Sequence, residues 1–263
     1  MNFKDKVVWI TGASSGIGEG FAYALANEGA KLAISSRNEA ELERVKSNCP
    51  RGVEVEVIPM DVSNFDSVPI AAQRVLDRFG FINILINNAG ISQRALVKDT
   101  VLEVDKKLMD VNYLGTVAVT KAVLPAMIQQ RFGHIVTISS VLGKYGVAHR
   151  SGYSASKHAL HGFFDSLRAE LEGEQVDITM ICPGYVHTNV TINALKGDGS
   201  KNNVMADSTA GGMEPVEFAR KALRAISRRS PEVYIGGKEA FAIYLKRFVP
   251  ALFRRIIARQ KLE

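Results

Sequence analysis

The chain has 263 residues, 46% of them hydrophobic, and its 33 Lys and Arg against 27 Asp and Glu give a formal net charge of +6. This composition excludes disordered, collagenous and disulfide-stapled proteins, and the length is sufficient for a large buried core. Two cysteines, Cys49 and Cys182, lie far apart without close histidine spacing, so we expect neither a disulfide framework nor a metal site. They indicate a reducing compartment, and the N-terminus lacks leader-like features, so we expect a cytoplasmic location.

Short apolar, β-branched runs alternate with longer segments of helical periodicity along the chain. Strands are predicted at 6–11, 30–35, 53–60, 82–87, 133–139, 176–182 and 233–235. Helices are predicted at 16–28, 38–48, 64–79, 101–131, 152–173 and 214–229. The alternation predicts an α/β fold: a single doubly wound Rossmann-type domain, with a seven-stranded parallel sheet and helices on both faces. No run approaches the roughly 18 consecutive apolar residues of a spanning helix, so we expect no membrane-spanning segment.

Most of the net charge lies in the last 26 residues. Seven basic and two acidic residues in 238–263 give +5, which leaves +1 for the other 237 residues and argues against a nucleic-acid surface. Apolar residues recur there at helical spacing, and Pro250 is expected to break the helix. Two interpretations stay open: a helix that closes the core or a dimer interface, or an in-plane membrane anchor. We therefore divide the chain into a domain at 1–237 and a basic amphipathic extension of it at 238–263.

One long segment has no regular period. Residues 189–212 are rich in Gly, Asn, Asp, Ser and Thr and follow the sixth predicted strand. Long irregular stretches are usually functional or disordered, and ligands of open α/β sheets bind at the carboxyl ends of the strands. We expect this segment to be a flap over a substrate.

A glycine-rich turn connects the first predicted strand to the first predicted helix. Its residues are Gly12, Ser14, Ser15, Gly16, Ile17 and Gly18. Glycines allow a tight turn and close approach of the backbone, so a pyrophosphate can lie against the N–H groups at the helix start. The order is Gly-x-x-x-Gly-x-Gly rather than Gly-x-Gly-x-x-Gly, so the general dinucleotide fingerprint does not by itself identify the motif.

The end of the second predicted strand indicates which dinucleotide binds. It reads Ser35-Ser36-Arg37-Asn38 and lacks the carboxylate that would accept hydrogen bonds from a ribose 2′-hydroxyl. Arg37 can instead pair with a 2′-phosphate and stack on adenine, with Asn38 beside it. We therefore predict NADP(H) in preference to NAD(H).

An acid–base pair is predicted at the start of the helix at 152–173. Tyr153 and Lys157 are four residues apart, so both side chains lie on one helix face. An ammonium group near a phenol can lower the phenol pKa by about 1 to 3 units, which makes Tyr153 a candidate general acid–base. Ser139 and Ser140 end a predicted strand, where either hydroxyl could hydrogen-bond a carbonyl oxygen.

Seven motifs, in this order, resemble the short-chain dehydrogenase/reductase family in its compact branch. They are Thr11-Gly12-x-x-x-Gly16-Ile17-Gly18, Asp61-Val62, Asn87-Asn88-Ala89-Gly90, Asn112, Ser140, Tyr153-x-x-x-Lys157 and Pro183-Gly184-x-x-x-Thr188. The resemblance covers nearly the whole chain and implies a homodimer or homotetramer formed through the helices at 101–131 and 152–173. Finer details around 140–145 and 153–164 are most similar to the 11β-hydroxysteroid-dehydrogenase-like relatives.

The resemblance also implies a role for each catalytic residue. Tyr153 would exchange a proton with the substrate oxygen, while Lys157 would hold the nicotinamide ribose and lower the tyrosine pKa. Ser140 would orient the carbonyl, and it is preferred to Ser139 because the serine of the family usually lies thirteen residues before the tyrosine. Asn112 would anchor a water that relays protons from Lys157.

Further coenzyme contacts are implied in the same way. Asp61 and Val62 would contact adenine, and Asn88, Ala89 and Gly90 the adenosine ribose side. The nicotinamide carboxamide would contact Pro183, Gly184, Val186 and Thr188.

The sequence thus predicts an NADP(H)-dependent oxidoreductase that acts on a carbonyl or secondary alcohol. Val141, Leu142, Val147 and Tyr185 could form an apolar pocket wall suited to a hydrophobic compound, or they could belong to the core. Two alternatives are a non-enzymatic NADPH-binding sensor or scaffold on the same fold, and a sugar-nucleotide epimerase, which the glycine spacing disfavours. The extension leaves peripheral membrane contact open.

Overall fold

The predicted parallel sheet is confirmed in the computed structural model of the protein, which describes residues 2–259. Within those residues the sheet has seven strands: β1 (Val7–Thr11), β2 (Lys31–Ser35), β3 (Val55–Val57), β4 (Ile84–Asn87), β5 (Gly133–Ile138), β6 (Val176–Pro183) and β7 (Glu232–Ile235). Their spatial order is β3-β2-β1-β4-β5-β6-β7, and all neighbours are parallel. The order reverses between β1 and β4, the position where doubly wound sheets bind dinucleotides.

Helices connect these strands and follow the last of them as far as Arg259. They are α1 (Gly16–Asn27), α2 (Glu39–Ser47), α3 (Ser67–Phe79), α4 (Leu102–Met109), α5 (Gly115–Gln129), α6 (Ser151–Glu170), α7 (Asp207–Ala210), α8 (Pro215–Ser227), α9 (Lys238–Phe248) and α10 (Pro250–Arg259). The sheet is buried on both faces, which explains why its strands are continuous apolar runs instead of alternating ones. Phe21 of α1 and Phe218 of α8 pack against one face, and Val123 of α5 and Phe164 of α6 pack against the other.

Two predicted elements differ from the observed ones. The strand predicted at 53–60 is shortened to β3, an edge strand that pairs with β2 over three residues of each strand. The helix predicted at 101–131 is divided into α4 and α5 by a stretch of π-helix at Asp110–Leu114. A π-helical turn holds one residue more than an α-helical turn, so it changes the direction in which the following side chains point.

The expectation that no segment is apolar enough to cross a membrane needs correction. Within the described residues, the helical segment Leu102–Gln129 is long and apolar enough to cross a membrane by length and composition alone. Its mean hydropathy is 1.3 over an 18-residue window. That window is 44% buried inside the protein, and Val119, Val123 and Met127 belong to its hydrophobic core. The apolar character of this stretch therefore also serves the packing of the sheet.

The C-terminal extension consists of α9 and α10, separated at Val249 directly before Pro250, where the break was predicted. Phe253 of α10 is buried against Val141, and its ring contacts the Tyr145 ring edge-on at 5.5 Å between centroids. Phe241 and Phe248 of α9, in contrast, are 70% and 75% exposed. One face of the extension thus packs on the loop after β5, and the other carries exposed apolar rings. Residues 260–263 of the predicted extension lie outside the described residues.

We predict that Gly18→Ala destabilises the protein by at least about 2 kcal/mol, because overpacking a tight contact typically costs 1 to 3 kcal/mol. A Cβ on Gly18 would lie 2.2 Å from the carbonyl oxygen of Gly12, which cannot move without opening the turn after β1. Chemical denaturation measures the free energy of unfolding. Gly162→Ala is the matched control: Gly162 lies in α6 with nothing within 4 Å of the added methyl group. It should stabilise by about 0.5 to 1 kcal/mol. Equal effects of the two substitutions would contradict this packing argument.

Candidate active site

A cleft of about 550 Å³ lies at the carboxyl edge of the sheet. All predicted site residues except Gly18 and Asn112 line it: Gly12, Ser14, Ser15, Gly16, Ile17, Arg37, Asn38, Asp61, Val62, Asn88, Ala89, Gly90, Ser140, Tyr153, Lys157, Pro183, Gly184, Val186 and Thr188. The fold therefore brings segments from six strand ends to one surface. Gly18 lies beneath the glycine-rich turn, where it lets α1 pack against Gly12.

The glycine-rich turn is held against the loop after β4. Gly12 and Gly16 have φ angles of +65° and +58°, in the left-handed region that favours glycine. Asn88 donates from Nδ2 to the carbonyl oxygens of Thr11 and Gly12, both at 3.0 Å, and Thr11 Oγ1 accepts from the backbone N–H of Ala89 at 3.1 Å. The first turn of α1 thus faces the cleft with N–H groups that have no helical partner, an arrangement suited to a phosphate.

At the end of β2 the cleft carries a cation and no carboxylate. The Arg37 side chain is 65% exposed, and its Nη1 lies 4.0 Å from Asp61 Oδ2. Asp61 accepts hydrogen bonds at Oδ1 from the backbone N–H and hydroxyl of Ser63, at 2.9 and 2.7 Å. Asn38 has a second role, because its side chain caps α2 by accepting from the backbone N–H of Glu41 at 3.3 Å. The guanidinium of Arg37 can therefore reach an anion in the cleft.

Tyr153 and Lys157 lie in the first two turns of α6, on the face directed at the cleft. The Nζ of Lys157 donates to the carbonyl oxygen of Ile138 at 2.8 Å and lies 5.9 Å from the centroid of the Tyr153 ring. Burial lowers the pKa of Lys157 to about 8. Ser140, at the end of β5, accepts at Oγ from the backbone N–H of Leu142 at 3.1 Å. Three of the four expected catalytic side chains therefore border the same space.

The balance of effects on Tyr153 differs from our expectation. Burial raises the pKa of Tyr153, and the hydroxyl of Ser140 and the positive charge of Arg150 lower it, but burial dominates and the pKa stays above its usual value near 10. Lys157 is not among the groups that lower this pKa; its ammonium donates to the Ile138 carbonyl and lies 5.9 Å from the centroid of the Tyr153 ring. Arg150, which the sequence reasoning missed, donates to the hydroxyl of Ser92 and is the cation that acts on the phenol.

Asn112 is fully buried beside the cleft, in the π-helical stretch between α4 and α5. Its Oδ1 accepts from the backbone N–H of Ile91 at 2.8 Å, and its Nδ2 donates to the Ile91 carbonyl at 3.0 Å and to Ser156 Oγ at 2.9 Å. A Cβ placed on Gly90 would lie 3.2 Å from Asn112 Oδ1 and 3.6 Å from Lys157 Nζ. Asn112 and Lys157 therefore flank one small space that the missing side chain of Gly90 leaves open.

The segment predicted as a flap closes one side of the cleft. Its lining residues are Asn189, Val190, Asn193, Leu195 and Lys201. Leu195 donates its N–H to the carbonyl of Ser92 and accepts at its own carbonyl from the N–H of Arg94, both at 2.8 Å. These bonds attach the segment to the loop after β4. Ile91, Ser92, Lys107 and Val111 also line the cleft and were missed, although Ile91 and Ser92 directly follow the Asn88-Ala89-Gly90 motif.

Comparison with known proteins agrees with this geometry. Residues 6–198 match the short chain dehydrogenase family model. The chain is 43% identical to dehydrogenase/reductase SDR family member 7B of Bos taurus, over 97% of this chain and 81% of that protein. A short-chain dehydrogenase/reductase of Burkholderia phymatum, solved in complex with NAD, is 25% identical with a TM-score of 0.86, covering 100% of this chain and 98% of that one. Levodione reductase is 28% identical with a TM-score of 0.82, covering 91% and 99%. The chain belongs to the short-chain dehydrogenase family.

Proposed function

We propose that the protein transfers hydride between NADP(H) and a carbonyl or secondary alcohol, with Tyr153 as the general acid–base. The observation that carries the proposal is one cleft bordered at one end by the glycine-rich turn and Arg37 and at the other by Ser140, Tyr153 and Lys157. A dinucleotide needs a phosphate site and a separate reaction site along the same edge of a sheet. Membership of an oxidoreductase family supports the reaction class, and the name of levodione reductase shows a carbonyl substrate for one similar protein.

In this proposal each catalytic side chain has one task. The bound nicotinamide supplies or accepts the hydride. Ser140 donates a hydrogen bond to the carbonyl oxygen and holds it near the phenol, and Tyr153 gives its proton to that oxygen as negative charge develops. Lys157 holds the nicotinamide ribose. When the ammonium of Lys157 is bound to that ribose, its positive charge also favours the phenolate form of Tyr153. Asn112 and Lys157 flank the space beside Gly90, where a water can return a proton to the amine.

Preference for NADP(H) is part of the same proposal. Support comes from Arg37, which is exposed at the cleft, and from Ser36 and Asn38 beside it in place of a carboxylate. A guanidinium binds phosphate through parallel, charge-assisted hydrogen bonds, and a carboxylate at this point would repel the 2′-phosphate. The remaining coenzyme contacts are assigned to Asp61 and Val62, Asn88 to Gly90, and the turn after β6 from Pro183 to Thr188.

The substrate side is assigned to the segment at 189–212, which we propose as the cover of a hydrophobic compound. Val190 and Leu195 supply apolar lining together with Ile91, while Val141, Leu142 and Val147 of the predicted pocket wall pack against the extension instead. We assign oligomer formation, as a homodimer or homotetramer, to the helices α4 to α6. Leu114, 40% exposed where α4 meets α5, supports this assignment. A cytoplasmic location is supported by the unpaired thiols of Cys49 and Cys182 in the described chain.

The assay that tests the proposed function mixes the protein with NADPH and a panel of ketones and aldehydes and follows the loss of NADPH absorbance. We expect turnover of at least one hydrophobic carbonyl compound, with slower turnover when NADH replaces NADPH. Binding of NADPH without turnover across the panel would overturn the proposal in favour of a non-enzymatic sensor.

We further propose that the extension docks on anionic lipid through the outer face of α9 and α10. Large apolar side chains are exposed there, at Phe241, Tyr244, Phe248, Leu252 and Ile256. The same two helices also carry the cations Lys238, Lys246, Arg247, Arg254, Arg255 and Arg259. Apolar insertion next to a cationic border is the composition that binds anionic membrane surfaces.

For this docking we expect co-sedimentation of the full chain with vesicles that contain phosphatidylserine, and much weaker binding to vesicles of phosphatidylcholine alone. Phe248→Ser should weaken the binding about tenfold, since burial of an aromatic side chain contributes roughly 1.5 to 3 kcal/mol. The matched control is Leu102→Ser on α4, where the side chain is 76% exposed. Equal binding by wild type and Phe248→Ser, or equal loss in the two variants, would exclude this face as the docking site.

A further inference from the structure

Behind the active site, three side chains converge on the carboxylate of Glu232, the first residue of β7. The Oε2 of Glu232 accepts from Lys144 Nζ at 2.6 Å and lies 3.2 Å from His161 Nδ1. Its Oε1 accepts from the hydroxyl of Tyr234. The side chains of Glu232 and Lys144 are 25% and 24% exposed, so water screens this ion pair less than the pairs on the protein surface.

The carboxylate of Glu232 is ionised at neutral pH. Burial raises the pKa of Glu232, but the hydrogen bonds from His161, Lys144 and Tyr234 outweigh burial and lower the pKa to about 2. Cys182 adjoins the same histidine, with Sγ 3.8 Å from Nε2, and burial raises its thiol pKa to about 12. His161, Cys182 and Glu232 lie within reach of a common metal ion, but the ammonium of Lys144 already neutralises the carboxylate. The geometry therefore indicates a structural cluster rather than a metal site. We call it the Glu232 clamp: Glu232 with its two arms, His161 and Lys144.

One arm of the clamp ends at the residue before Ser140. The Nε2 of His161 lies 2.9 Å from Ser139 Oγ, and this hydroxyl also approaches the carbonyl oxygen of Lys157 at 3.4 Å. A Cβ placed on Gly143 would lie 2.6 Å from Ser139 Oγ and 2.8 Å from His161 Nε2, so the contact has little freedom to shift. His161 thereby connects the end of β5 to the turn of α6 that carries Lys157.

The other arm ends at Lys144, which closes the helical turn that starts at Ser140. In that turn the N–H of Gly143 donates to the Ser140 carbonyl at 2.8 Å, and the N–H of Lys144 donates to the Val141 carbonyl at 3.0 Å. Ser140 Oγ accepts from the N–H of Leu142 at the start of the same turn. Through His161 and Lys144, one carboxylate therefore connects to the Ser139 hydroxyl before Ser140 and to the Lys144 side chain after it.

We propose that Glu232 is a positioning residue for hydride transfer: through His161 and Lys144 it fixes the turn that aims the Ser140 hydroxyl at the substrate carbonyl. This inference rests on the proposed function, because it requires Ser140 to act on that carbonyl. A donor stabilises developing charge only when it is already aimed, and a misplacement of about 1 Å can cost roughly 100-fold in rate. The glycine-rich turn and Arg37, to which we assign the phosphates, lie at the other end of the cleft, so we expect coenzyme binding to depend little on Glu232.

The first test is E232Q, which keeps the shape of the side chain and removes its charge. We expect kcat to fall about tenfold, which is less than the roughly 100-fold loss expected for a Ser140 hydroxyl displaced by about 1 Å. The Kd for NADPH should change by less than about twofold. The matched control is E217Q on α8, which removes the same charge from the exposed pair of Glu217 with Lys221, 2.7 Å apart. Its kcat should equal that of wild type. Melting temperatures of all variants establish that each is folded.

The deciding comparison is between E232Q alone and E232Q combined with Ser140→Ala. If Glu232 acts through the Ser140 hydroxyl, adding E232Q to the Ser140→Ala variant should lower kcat by at most about twofold. The effects of substitutions at coupled residues do not add. A residue with only a structural role would instead reduce kcat by the same factor in both backgrounds. Where E232Q does not fold, K144M carries the same comparison, since it removes the partner charge at the other arm.

The outcomes separate this inference from the proposed function. A wild-type protein without turnover on any carbonyl compound would overturn both the proposed reaction and the role of Ser140 within it. An active wild type with unchanged kcat in E232Q, or with the tenfold loss fully retained in the Ser140→Ala background, would overturn the positioning role alone. A loss of kcat that disappears in that background would support it.

Discussion

Tyr153→Phe should reduce kcat for carbonyl reduction by about 10³-fold to 10⁴-fold, at the upper end of what general acid catalysis contributes. The substitution removes the hydroxyl that would protonate the substrate oxygen and leaves the ring that fills the same volume. The Kd for NADPH should change by no more than about twofold, because Lys157 and the glycine-rich turn keep their contacts. Steady-state kinetics and fluorescence titration of NADPH measure the two quantities.

The matched control is Tyr113→Phe, which removes a phenol hydroxyl from a residue that packs on Phe163 at 6.3 Å between ring centroids and does not line the cleft. It should keep wild-type kcat. Tyr153→Phe with more than a tenth of wild-type turnover would show that another group transfers the proton, and Arg150 and Ser140 would then need the same test.

The pH profile provides a separate check on Tyr153. Its pKa is raised by burial, against the opposing effects of Ser140 and Arg150, so the phenol is protonated at neutral pH. Reduction needs the protonated form, and its kcat/KM should stay level at neutral pH and fall only as the pH passes the raised pKa. Oxidation needs the phenolate, so its kcat/KM should rise over the same range. Profiles with the reverse slopes would contradict the assigned role.

Arg37→Asp should reverse the coenzyme preference. Loss of a charge-assisted hydrogen bond costs roughly 1.5 to 3 kcal/mol, and repulsion between the new carboxylate and the 2′-phosphate adds to this loss. We therefore expect the Kd for NADPH to rise about 100-fold, while NADH binds more tightly because the carboxylate accepts hydrogen bonds from the free ribose hydroxyl. Titration of each variant with NADPH and NADH measures the ratio.

Arg220→Asp controls for the change in net charge, since Arg220 is exposed on α8 and does not line the cleft. Its coenzyme preference should equal that of wild type. An Arg37→Asp variant that still prefers NADPH as strongly as wild type would show that Arg37 does not contact the 2′-phosphate. Asn38 and the residues at the end of β3 would then be the next positions to test.

The predictions that hold best from the sequence are those that depend on neighbours along the chain. Alternating apolar runs and helical periods predicted the seven parallel strands, and the predicted break at Pro250 separates α9 from α10. Tyr153 and Lys157 share a helix face because four residues make about one turn, and this holds in α6 whatever surrounds it. The glycines at 12, 16 and 18 also act locally, within one strand–helix turn.

Boundaries were predicted less well, since packing decides them. Residues 53–60 have the composition of a strand, and the N–H groups of Ile58 and Met60 still donate to the carbonyls of Ile34 and Ser36, but only three residues form the regular ladder of β3. The helix predicted at 101–131 contains a π-helical stretch that places Asn112 against Ile91 and Ser156, residues far from it in the sequence. No local spacing indicates such a contact.

The amino-acid sequence by itself determined the sheet, the glycine-rich turn and the pairing of Tyr153 with Lys157, because each is encoded by spacing within a few residues. Only the tertiary structure decided which charges act on these groups. Burial raises the pKa of Tyr153, and Ser140 and Arg150, rather than Lys157, oppose this effect. Glu232 contacts groups on both sides of Ser140 from a strand more than 90 residues away. Electrostatic and hydrogen-bonding contacts depend on distance in space, and residues distant in the chain come together only when the sheet has formed.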